Sequence, residues 1–272
     1  MTIRTGLYQV SLAIVCLGCA STIWGESRLS SSGGSDIPAP APAIVIIIDD
    51  LGHARVNGQR VAALPAPVAC AILPHTPFAA NIASHAHRAG KEVMLHLPLE
   101  PAYRDSFAVG AIDIDTTQAQ LERILAADLA SVPHVVGVNN HMGSLLTQHP
   151  GHMQWLMQEL NDHGELFFVD SYTSESSVAL LMAQEAGIPS TRRDVFLDNT
   201  PTEAAIDREF QRLKKLARQN GIAIGIGHPY PATIDYLEKV LPRLKAEGIR
   251  VISVADSIRY RSSVRTASVS AK

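Results

Sequence analysis

The sequence predicts an α/β fold in which a mainly parallel central sheet curls into a closed or nearly closed (β/α) barrel. Short apolar segments alternate with helical patterns along most of the chain, which is typical of repeated strand–helix units. These segments are apolar throughout, as expected for parallel strands covered on both faces. Glycine follows most of the predicted helices, where helices commonly end. No G-x-G-x-x-G pattern follows the first strand, which disfavours a doubly wound dinucleotide fold.

The pattern defines the order of the predicted elements. The strands are expected at residues 43–48, 68–73, 92–96, 135–138, 166–169, 222–226 and 250–254. The helices are expected at residues 77–89, 117–130, 151–163, 175–186, 202–219 and 232–247. Neither a second linker nor a repeat of fixed period divides this region, so we predict one domain at residues 43–260.

The chain begins with a pattern that is typical of an export signal, which we place at residues 1–25. Arg4 supplies a positive charge, and residues 10–20 form an apolar run that is shorter than a membrane span of about 20 residues. Cleavage near Ala20, lipidation of Cys19 and an uncleaved membrane anchor are the three alternatives. We therefore expect an exported protein of the periplasm or envelope, which meets a membrane only through this segment.

Two further segments flank the predicted domain. Residues 26–42 are rich in Ser, Gly, Pro and Ala, which predicts a linker, and residues 261–272 are predicted to form a flexible tail.

Cys70 is the one cysteine of the domain, so no disulfide within it is expected, and a small buried apolar side chain is the favoured interpretation.

Composition excludes some classes of function. The formal net charge is −3 at pH 7, and no basic excess points to nucleic acid. Aromatic residues make up 5% of the chain, which disfavours a carbohydrate surface built from stacked tryptophans. The sequence leaves the oligomeric state open.

Polar side chains follow five of the predicted strands at the point where each strand ends. These residues are Asp49, Asp50, His96, Glu100, Asn139, Asn140, His141, Ser144, Asp170 and His228. Because the carboxyl ends of parallel strands meet at one rim of a barrel, we expect these side chains to converge there. Each of them alone could be a helix cap or a core histidine, but their common position indicates a functional site.

The residue types in this set suit a divalent cation such as zinc. Imidazole and carboxylate ligands form hydrolytic zinc sites, where the cation activates water and polarises a carbonyl group. Two adjacent aspartates can divide the work, because one can bind the cation while the other stays free as a base. The repulsion between the two carboxylates is then relieved by the charge of the cation.

Five segments of the sequence resemble one family. They are IIIDDLG, LHLPLEP, GVNNHMGS, FFVDSYTS and GIGHP, in this order along the chain. They are similar to motifs of the divergent polysaccharide deacetylases, an exported bacterial branch of the NodB-homology, carbohydrate esterase family 4 superfamily. The resemblance covers residues 43–260. It implies an irregular (β/α)7 barrel and metal-dependent removal of acetyl groups from a polysaccharide through attack of a metal-bound water.

The resemblance also implies roles for individual residues. Asp49 matches the catalytic base and Asp50 a metal ligand, while Asp170 and His228 match the later catalytic aspartate and the general acid. His96 matches the first histidine of a motif in which a second histidine follows four residues later.

The chain departs from that motif, because Glu100 stands where the second histidine is expected. His141 is the candidate that replaces it, so the predicted metal set is Asp50, His96 and His141, with Glu100 as the alternative third ligand. Glu100, Asn140 and Ser144 are the predicted substrate contacts.

Two other functions compete with an exported deacetylase of acetylated envelope glycans. One is a metal-free glycosidase-like barrel that uses Asp49 or Asp50 with Glu100 as a carboxylate pair. The other is a non-catalytic envelope protein that retains a metal or glycan-binding site. The family's third motif is an arginine-proline-aromatic stretch, and NNHMGS stands in its place here. This substitution and Glu100 in the second motif favour the latter alternative.

Overall fold

The computed structural model describes residues 41–103 and 110–270, with side chains described as far as residue 263. The predicted export signal and nearly all of the predicted linker lie outside these residues. Among the helices of the described part, none combines the length and the apolar character that crossing a membrane requires.

The described residues form one sheet of nine strands. The strands are β1 Ala43–Leu51, β2 Ala69–Ile72, β3 Val93–Leu99, β4 Val135–Met142, β5 Phe167–Asp170, β6 Ser190–Arg192, β7 Val195–Phe196, β8 Ile222–Gly227 and β9 Arg250–Val251. The seven strands predicted from the sequence are all present. The short strands β6 and β7 were not predicted, because two or three residues are too few to show a period.

The sheet is parallel, and its strand order shows that it curls. The order is β6-β5-β4-β3-β2-β1-β8-β7, with β9 added beside β1. The end strands β6 and β7 are joined by Arg193 and Asp194 alone, so the two edges lie within about 11 Å of each other along the chain. A flat sheet of this order would hold its edges several strand spacings apart. The predicted α/β barrel is therefore confirmed as a strongly curled, distorted barrel.

Eight α-helices accompany the strands in the described part. They are α1 Arg55–Ala62, α2 Ala79–Arg88, α3 Gln118–Ser131, α4 Pro150–Asp162, α5 Ala179–Glu185, α6 Glu203–Asn220, α7 Pro231–Val240 and α8 Val254–Ser270. Short 3₁₀ turns lie at Leu146–Gln148 and Leu241–Arg243. Helices α1 and α8 were not predicted, and α8 extends over most of the range where a tail was expected.

Local sequence signals explain the bounds of α6. The hydroxyl of Thr202 accepts a hydrogen bond from the amide of Ala205 and caps the first turn. The helix ends at Gly221, whose φ of +81° is readily adopted by glycine. Strand β8 begins at the next residue, so this glycine turns the chain from the helix into the sheet.

The two faces of the sheet are both buried. In β1, Ile44, Ile46 and Ile48 belong to a large apolar layer between the sheet and helices α1–α7. Val45 and Ile47 belong to a smaller apolar cluster inside the curl. The uninterrupted apolar run of β1 therefore reflects burial on both sides, as the sequence indicated.

Helix α8 fills one end of the curled sheet. Its residues Val254 and Ile258 are buried in the inner apolar cluster. The carboxylate of Glu92, just before β3, accepts hydrogen bonds from the amides of Val254 and Ala255 at 2.7 and 3.0 Å. These bonds satisfy free amides of the first turn of the helix and fix α8 against the sheet. Polar groups can then occupy the inner face at the opposite, carboxyl ends of the strands.

Candidate metal centre

The inner face of the sheet changes from apolar to polar at the carboxyl ends of its strands. Side chains alternate between the two faces along a strand, so residues two apart share a face. The inner apolar series continues into polar residues in four strands: Ile47 into Asp49, Met94 into His96, Val169 into Ser171 and Ile226 into His228. The period of the strands thus delivers these polar groups to one place.

Asp49 and Asp50 both reach this place although they are neighbours. In a regular strand they would point to opposite faces. The pairing of β1 with β2 is irregular between Ile48 and Leu51, and the φ of Asp50 is +55°, in the left-handed region. A bulge of this kind re-aims one side chain, and strained backbone of this kind clusters at functional sites. Met142 and Tyr172, at the ends of β4 and β5, also have positive φ values of 54° and 52°.

Three side chains direct ligand atoms at one another. Asp50 Oδ1 lies 3.0 Å from His141 Nδ1 and 3.2 Å from His96 Nε2. The two nitrogens are 3.2 Å apart. Ligands that hold one zinc ion at about 2.0–2.2 Å are themselves roughly 3–3.5 Å apart. The group Asp50, His96 and His141, here called the metal triad, could therefore bind a metal ion.

The hydrogen bonding and the charges of the metal triad also suit a bound cation. Asp50 Oδ1 is buried and has no hydrogen bond of good geometry, although two imidazole nitrogens lie close to it. Burial opposes the ionisation of Asp50, but His141 and His96 outweigh this effect and hold the pKa of its carboxyl below the usual value. Burial would lower the pKa of His96, but Asp49 and Asp50 outweigh it and raise this pKa to about 9. Positive charge is thus stabilised at this point.

Asp49 lies beside the metal triad without belonging to it. Asp49 is 2% exposed, and its Oδ2 is 3.7 Å from His96 Nε2. Its Oδ1 accepts a hydrogen bond of 2.8 Å from Asn139 Nδ2. Burial raises the pKa of the Asp49 carboxyl, although His96 and Asn139 oppose the rise. A buried carboxylate with a raised pKa is a stronger proton acceptor than a carboxylate in water.

His228 approaches the metal triad from β8. Its Nε2 lies 3.9 Å from Asp50 Oδ2, and its Nδ1 donates to Asp198 Oδ1 at 2.8 Å. Asp198 is 2% exposed and also accepts from the His228 amide and from the hydroxyl of Thr233. Burial would lower the pKa of His228, but the contact with Asp198 outweighs it and raises the pKa. The imidazole is therefore held in place and its protonated form is favoured.

Sequence reasoning missed Asp198 and expected Asp170 among the catalytic groups. Asp170 is the last residue of β5 and falls on the opposite face from Ser171. Its carboxylate accepts hydrogen bonds from the Tyr172 amide and the Ser177 hydroxyl, both at 2.8 Å. Asp170 thus stabilises the chain after β5. The aspartate that contacts His228 is Asp198. Asp198 follows the unpredicted strand β7, which is why the strand-end argument did not find it.

The predicted substrate contacts divide in a similar way. Asn140 lines the cavity at the metal triad, but its amide group is bonded to Met142 O and the Ser171 amide. The carboxylate of Glu100 is buried and accepts from the Ile114 amide, outside the metal triad. The hydroxyl of Ser144 accepts from the Ala102 amide. His141, and not Glu100, therefore stands beside Asp50 and His96.

A small cavity opens onto these groups. Its volume is about 230 Å³, and its lining comprises Asp49, Asp50, His96, Asn140, His141, Met142, Ser171, Thr173, Phe196 and His228. A larger cavity of about 600 Å³ beside His75 shares none of these residues. The side chains rather than the volume identify the smaller cavity as the candidate site, because it alone of the two contains the metal triad.

The chain is similar to known proteins in sequence and in fold. The chain is 38% identical over 207 residues to the uncharacterized protein YibQ of Escherichia coli K12. The aligned region covers 76% of this chain and 65% of YibQ. The crystal structure of the uncharacterized protein ATU2773 from Agrobacterium tumefaciens C58 superposes with a TM-score of 0.76 at 25% identity, covering 80% of this chain and 90% of that one.

A more distant likeness concerns the fold alone. A variant of the peptidoglycan deacetylase PdaC from Bacillus subtilis matches with a TM-score of 0.50 at 8% identity, over 86% of this chain and 99% of that one.

The family model described as divergent polysaccharide deacetylase matches residues 46–258, which include the metal triad, Asp49, Asp198 and His228. The resemblance seen in the five sequence motifs is confirmed: the chain belongs to the divergent polysaccharide deacetylase family.

Proposed function

We propose that this protein is an exported, metal-dependent hydrolase that removes acetyl groups from a polysaccharide, such as a glycan of the cell envelope. The observation that carries the proposal is the metal triad flanked by one carboxylate and one imidazole that do not belong to it. Asp49 Oδ2 lies 3.7 Å from His96 Nε2, and His228 Nε2 lies 3.9 Å from Asp50 Oδ2. Cation, base and acid are the three parts that hydrolysis of an amide or ester requires.

The metal triad would hold the cation through one carboxylate oxygen and two imidazole nitrogens. Zinc is the proposed metal, because it accepts nitrogen and oxygen ligands and leaves a position open in catalytic sites. When bound, such a cation would lower the pKa of coordinated water and polarise the acyl carbonyl.

Asp49 is the proposed general base. Its carboxylate accepts a proton from the water that attacks the acetyl carbonyl carbon. The raised pKa of Asp49 makes its carboxylate a better acceptor at neutral pH. Asn139 holds one carboxylate oxygen, so the other oxygen, Oδ2, faces the metal triad.

His228 is the proposed general acid. As the bond between the carbonyl carbon and the leaving nitrogen or oxygen breaks, the imidazolium gives its proton to the leaving atom. Acetate and a free amine or hydroxyl are then the products, and the proton held by Asp49 returns to solvent or to His228. Asp198 supports this role, because it fixes the ring and stabilises the protonated form.

The substrate and the location are further parts of the proposal. The cavity of about 230 Å³ is small, which suits an acetyl group better than a whole sugar, so the sugar would lie across the rim. The family description names polysaccharides, and the basic and apolar N-terminal segment supports export. The matched region spans 65% of the length of YibQ.

A non-catalytic metal-binding envelope protein is the second candidate. Glu100 stands at the place of the family's second metal-binding histidine, and its carboxylate bonds the Ile114 amide instead of entering the metal triad. The same position of Glu100 gives no support to a glycosidase that pairs Glu100 with Asp49.

Acetate release is the test of the proposed activity. The full chain is loaded with zinc and incubated with acetylated chitooligosaccharides and with peptidoglycan, and acetate is measured over time. The proposal predicts release by the wild type and its loss in Asp49→Asn with zinc still bound. Zinc binding without acetate release from any acetylated glycan would favour the non-catalytic function.

A further inference from the structure

Asn139 is a buried amide that connects two groups with different roles in the candidate site. It is 0% exposed, and it lies on the inner face of β4. Its Oδ1 lies 3.0 Å from His96 Nδ1, and its Nδ2 lies 2.8 Å from Asp49 Oδ1. The same nitrogen lies 3.2 Å from the hydroxyl oxygen of Ser171. One side chain thus touches a ligand of the metal triad and the proposed base.

The neighbours of Asn139 decide which way its amide points. The donor Nδ2 faces Asp49 Oδ1, a carboxylate oxygen that accepts its hydrogen bond. The carbonyl oxygen Oδ1 then faces His96. Because a carbonyl oxygen cannot donate, His96 Nδ1 must carry the hydrogen of that bond.

This orientation selects the nitrogen of His96 that can bind a cation. His96 must be neutral to bind a cation, and with its hydrogen held on Nδ1 the free electron pair is then on Nε2. Nε2 is the atom that faces Asp50 and His141, at 3.2 Å from a ligand atom of each. The amide therefore presents the ligand nitrogen of His96 to the metal triad.

We propose that Asn139 is a positioning residue that fixes His96 Nε2 as the metal ligand and, with its opposite end, aims the carboxylate of Asp49. Metal-ligating histidines commonly donate their second N–H to a fixed acceptor, and loss of that acceptor weakens metal binding about 10–100-fold. The metal half of this inference depends on the metal triad alone. The half that concerns Asp49 rests on the proposed hydrolase.

Asn140 provides a matched control on the same strand. It is also buried, at 1% exposed, and its amide group is also used on both ends. Its partners are the carbonyl of Met142 and the amide of Ser171, and neither His96 nor Asp49 is among them. A purely structural effect of a polar substitution inside β4 should therefore appear at both asparagines.

Zinc affinity of the full chain tests the metal half. The affinity for zinc alone is measured by competition with a chelator for the wild type, Asn139→Ala, Asn139→Asp and Asn140→Ala. Asn139→Ala removes the acceptor, so affinity should fall about 10–100-fold. Asn139→Asp keeps an acceptor for His96 and adds a negative charge near the cation, so affinity should not fall below that of the wild type. Asn140→Ala removes an amide that touches neither His96 nor Asp49, so its affinity should stay within about threefold of the wild type.

The ring nitrogens of His96 give a second measurement, independent of activity. Nitrogen-15 NMR of the zinc-loaded protein should show the hydrogen on Nδ1 and the metal on Nε2 in the wild type and in Asn139→Asp. Thermal unfolding of each variant separates loss of fold from loss of position. If Asn139→Ala does not fold, Asn139→Asp and the spectrum of the wild type still decide.

Turnover tests the half that concerns Asp49. Asn139→Asp loses the donor to Asp49 and keeps the acceptor for His96, so kcat for acetate release should fall while zinc stays bound. Equal zinc affinity in all four proteins, or a metal on His96 Nδ1, would overturn the inference. Absence of acetate release in the wild type, with the expected zinc pattern, would instead reject the proposed hydrolase and leave the metal half standing.

Discussion

The inner and outer faces of the curled sheet are built from similar apolar residues, but the polar side chains at the carboxyl ends of the strands have different roles on the two faces. On the inner face, the series of Val45 and Ile47 ends at Asp49, and that of Met94 ends at His96. On the outer face, Phe168 is followed by Asp170, whose carboxylate only fixes the turn after β5. The face on which a strand-end residue falls therefore decides whether it joins the site or supports the chain around it.

The largest expected effect comes from removing an inner-face ligand. His141→Ala should reduce zinc affinity on the order of 100-fold or more, because one of three ligands of the metal triad is lost. Glu100→Gln should leave zinc affinity within about threefold of the wild type, because Glu100 lies outside the metal triad. Isothermal titration of both variants checks this. The reverse order of the two affinities would place Glu100, and not His141, on the metal.

The next effect concerns the acid on the inner face. Asp198→Asn removes the charge that orients and stabilises protonated His228, so acetate release should slow by about 10²–10⁴-fold. Zinc content should not change, because Asp198 does not touch the metal triad. Asp194→Asn is the control, since Asp194 lies just before β7, as Asp198 lies just after it, but pairs with Arg261. Comparable rates for the two variants would remove Asp198 from the mechanism.

A stability measurement tests whether the inner face is a true core. Ile47 points inward and Ile48 outward, and both are 0% exposed. Ile47→Ala and Ile48→Ala should each cost about 2–5 kcal/mol of unfolding free energy, because each leaves a cavity in packed surroundings. Urea unfolding gives both values. A cost below about 1 kcal/mol for Ile47→Ala would mean that the sheet is open on its inner side.

The smallest effect is expected outside both faces, on the solvent side of the helices. Lys239 pairs with Glu203 at 3.1 Å, with side chains 56% and 68% exposed. Lys239→Gln should change the unfolding free energy by less than about 1 kcal/mol, because water and salt screen exposed ion pairs. The same urea titration measures it. A loss as large as that of a core isoleucine would show that this pair holds α6 and α7 together.

The comparison of faces also explains what the sequence could and could not predict. Seven strands were visible because each lies in a segment of four to six mostly apolar residues, whereas β6 and β7 have only three and two residues. Asp49, Asp50, His96, His141 and His228 were found because they follow those runs. The bulge that turns Asp50 toward Asp49 is not written in the apolar pattern, because it depends on the irregular pairing of β1 with β2.

Asp170 was expected among the catalytic groups, but it is one position away from Ser171, which continues the inner-face series. The strand-end argument did not track which face each position takes. Counting by twos from Val169 would have selected Ser171 instead of Asp170. Asp198 was hidden because β7 has two residues, and Asn139 because an amide between two apparent ligands has no signature of its own.

The metal triad is expected to bind one divalent cation. Native mass spectrometry of the full chain titrated with zinc tests it most directly, with Asp50→Asn measured beside the wild type. The structure predicts one tightly bound zinc per wild-type chain and none retained by Asp50→Asn at the same zinc concentration. A wild-type chain that retains no zinc or other divalent metal, or an Asp50→Asn chain that retains it equally well, would contradict the claim.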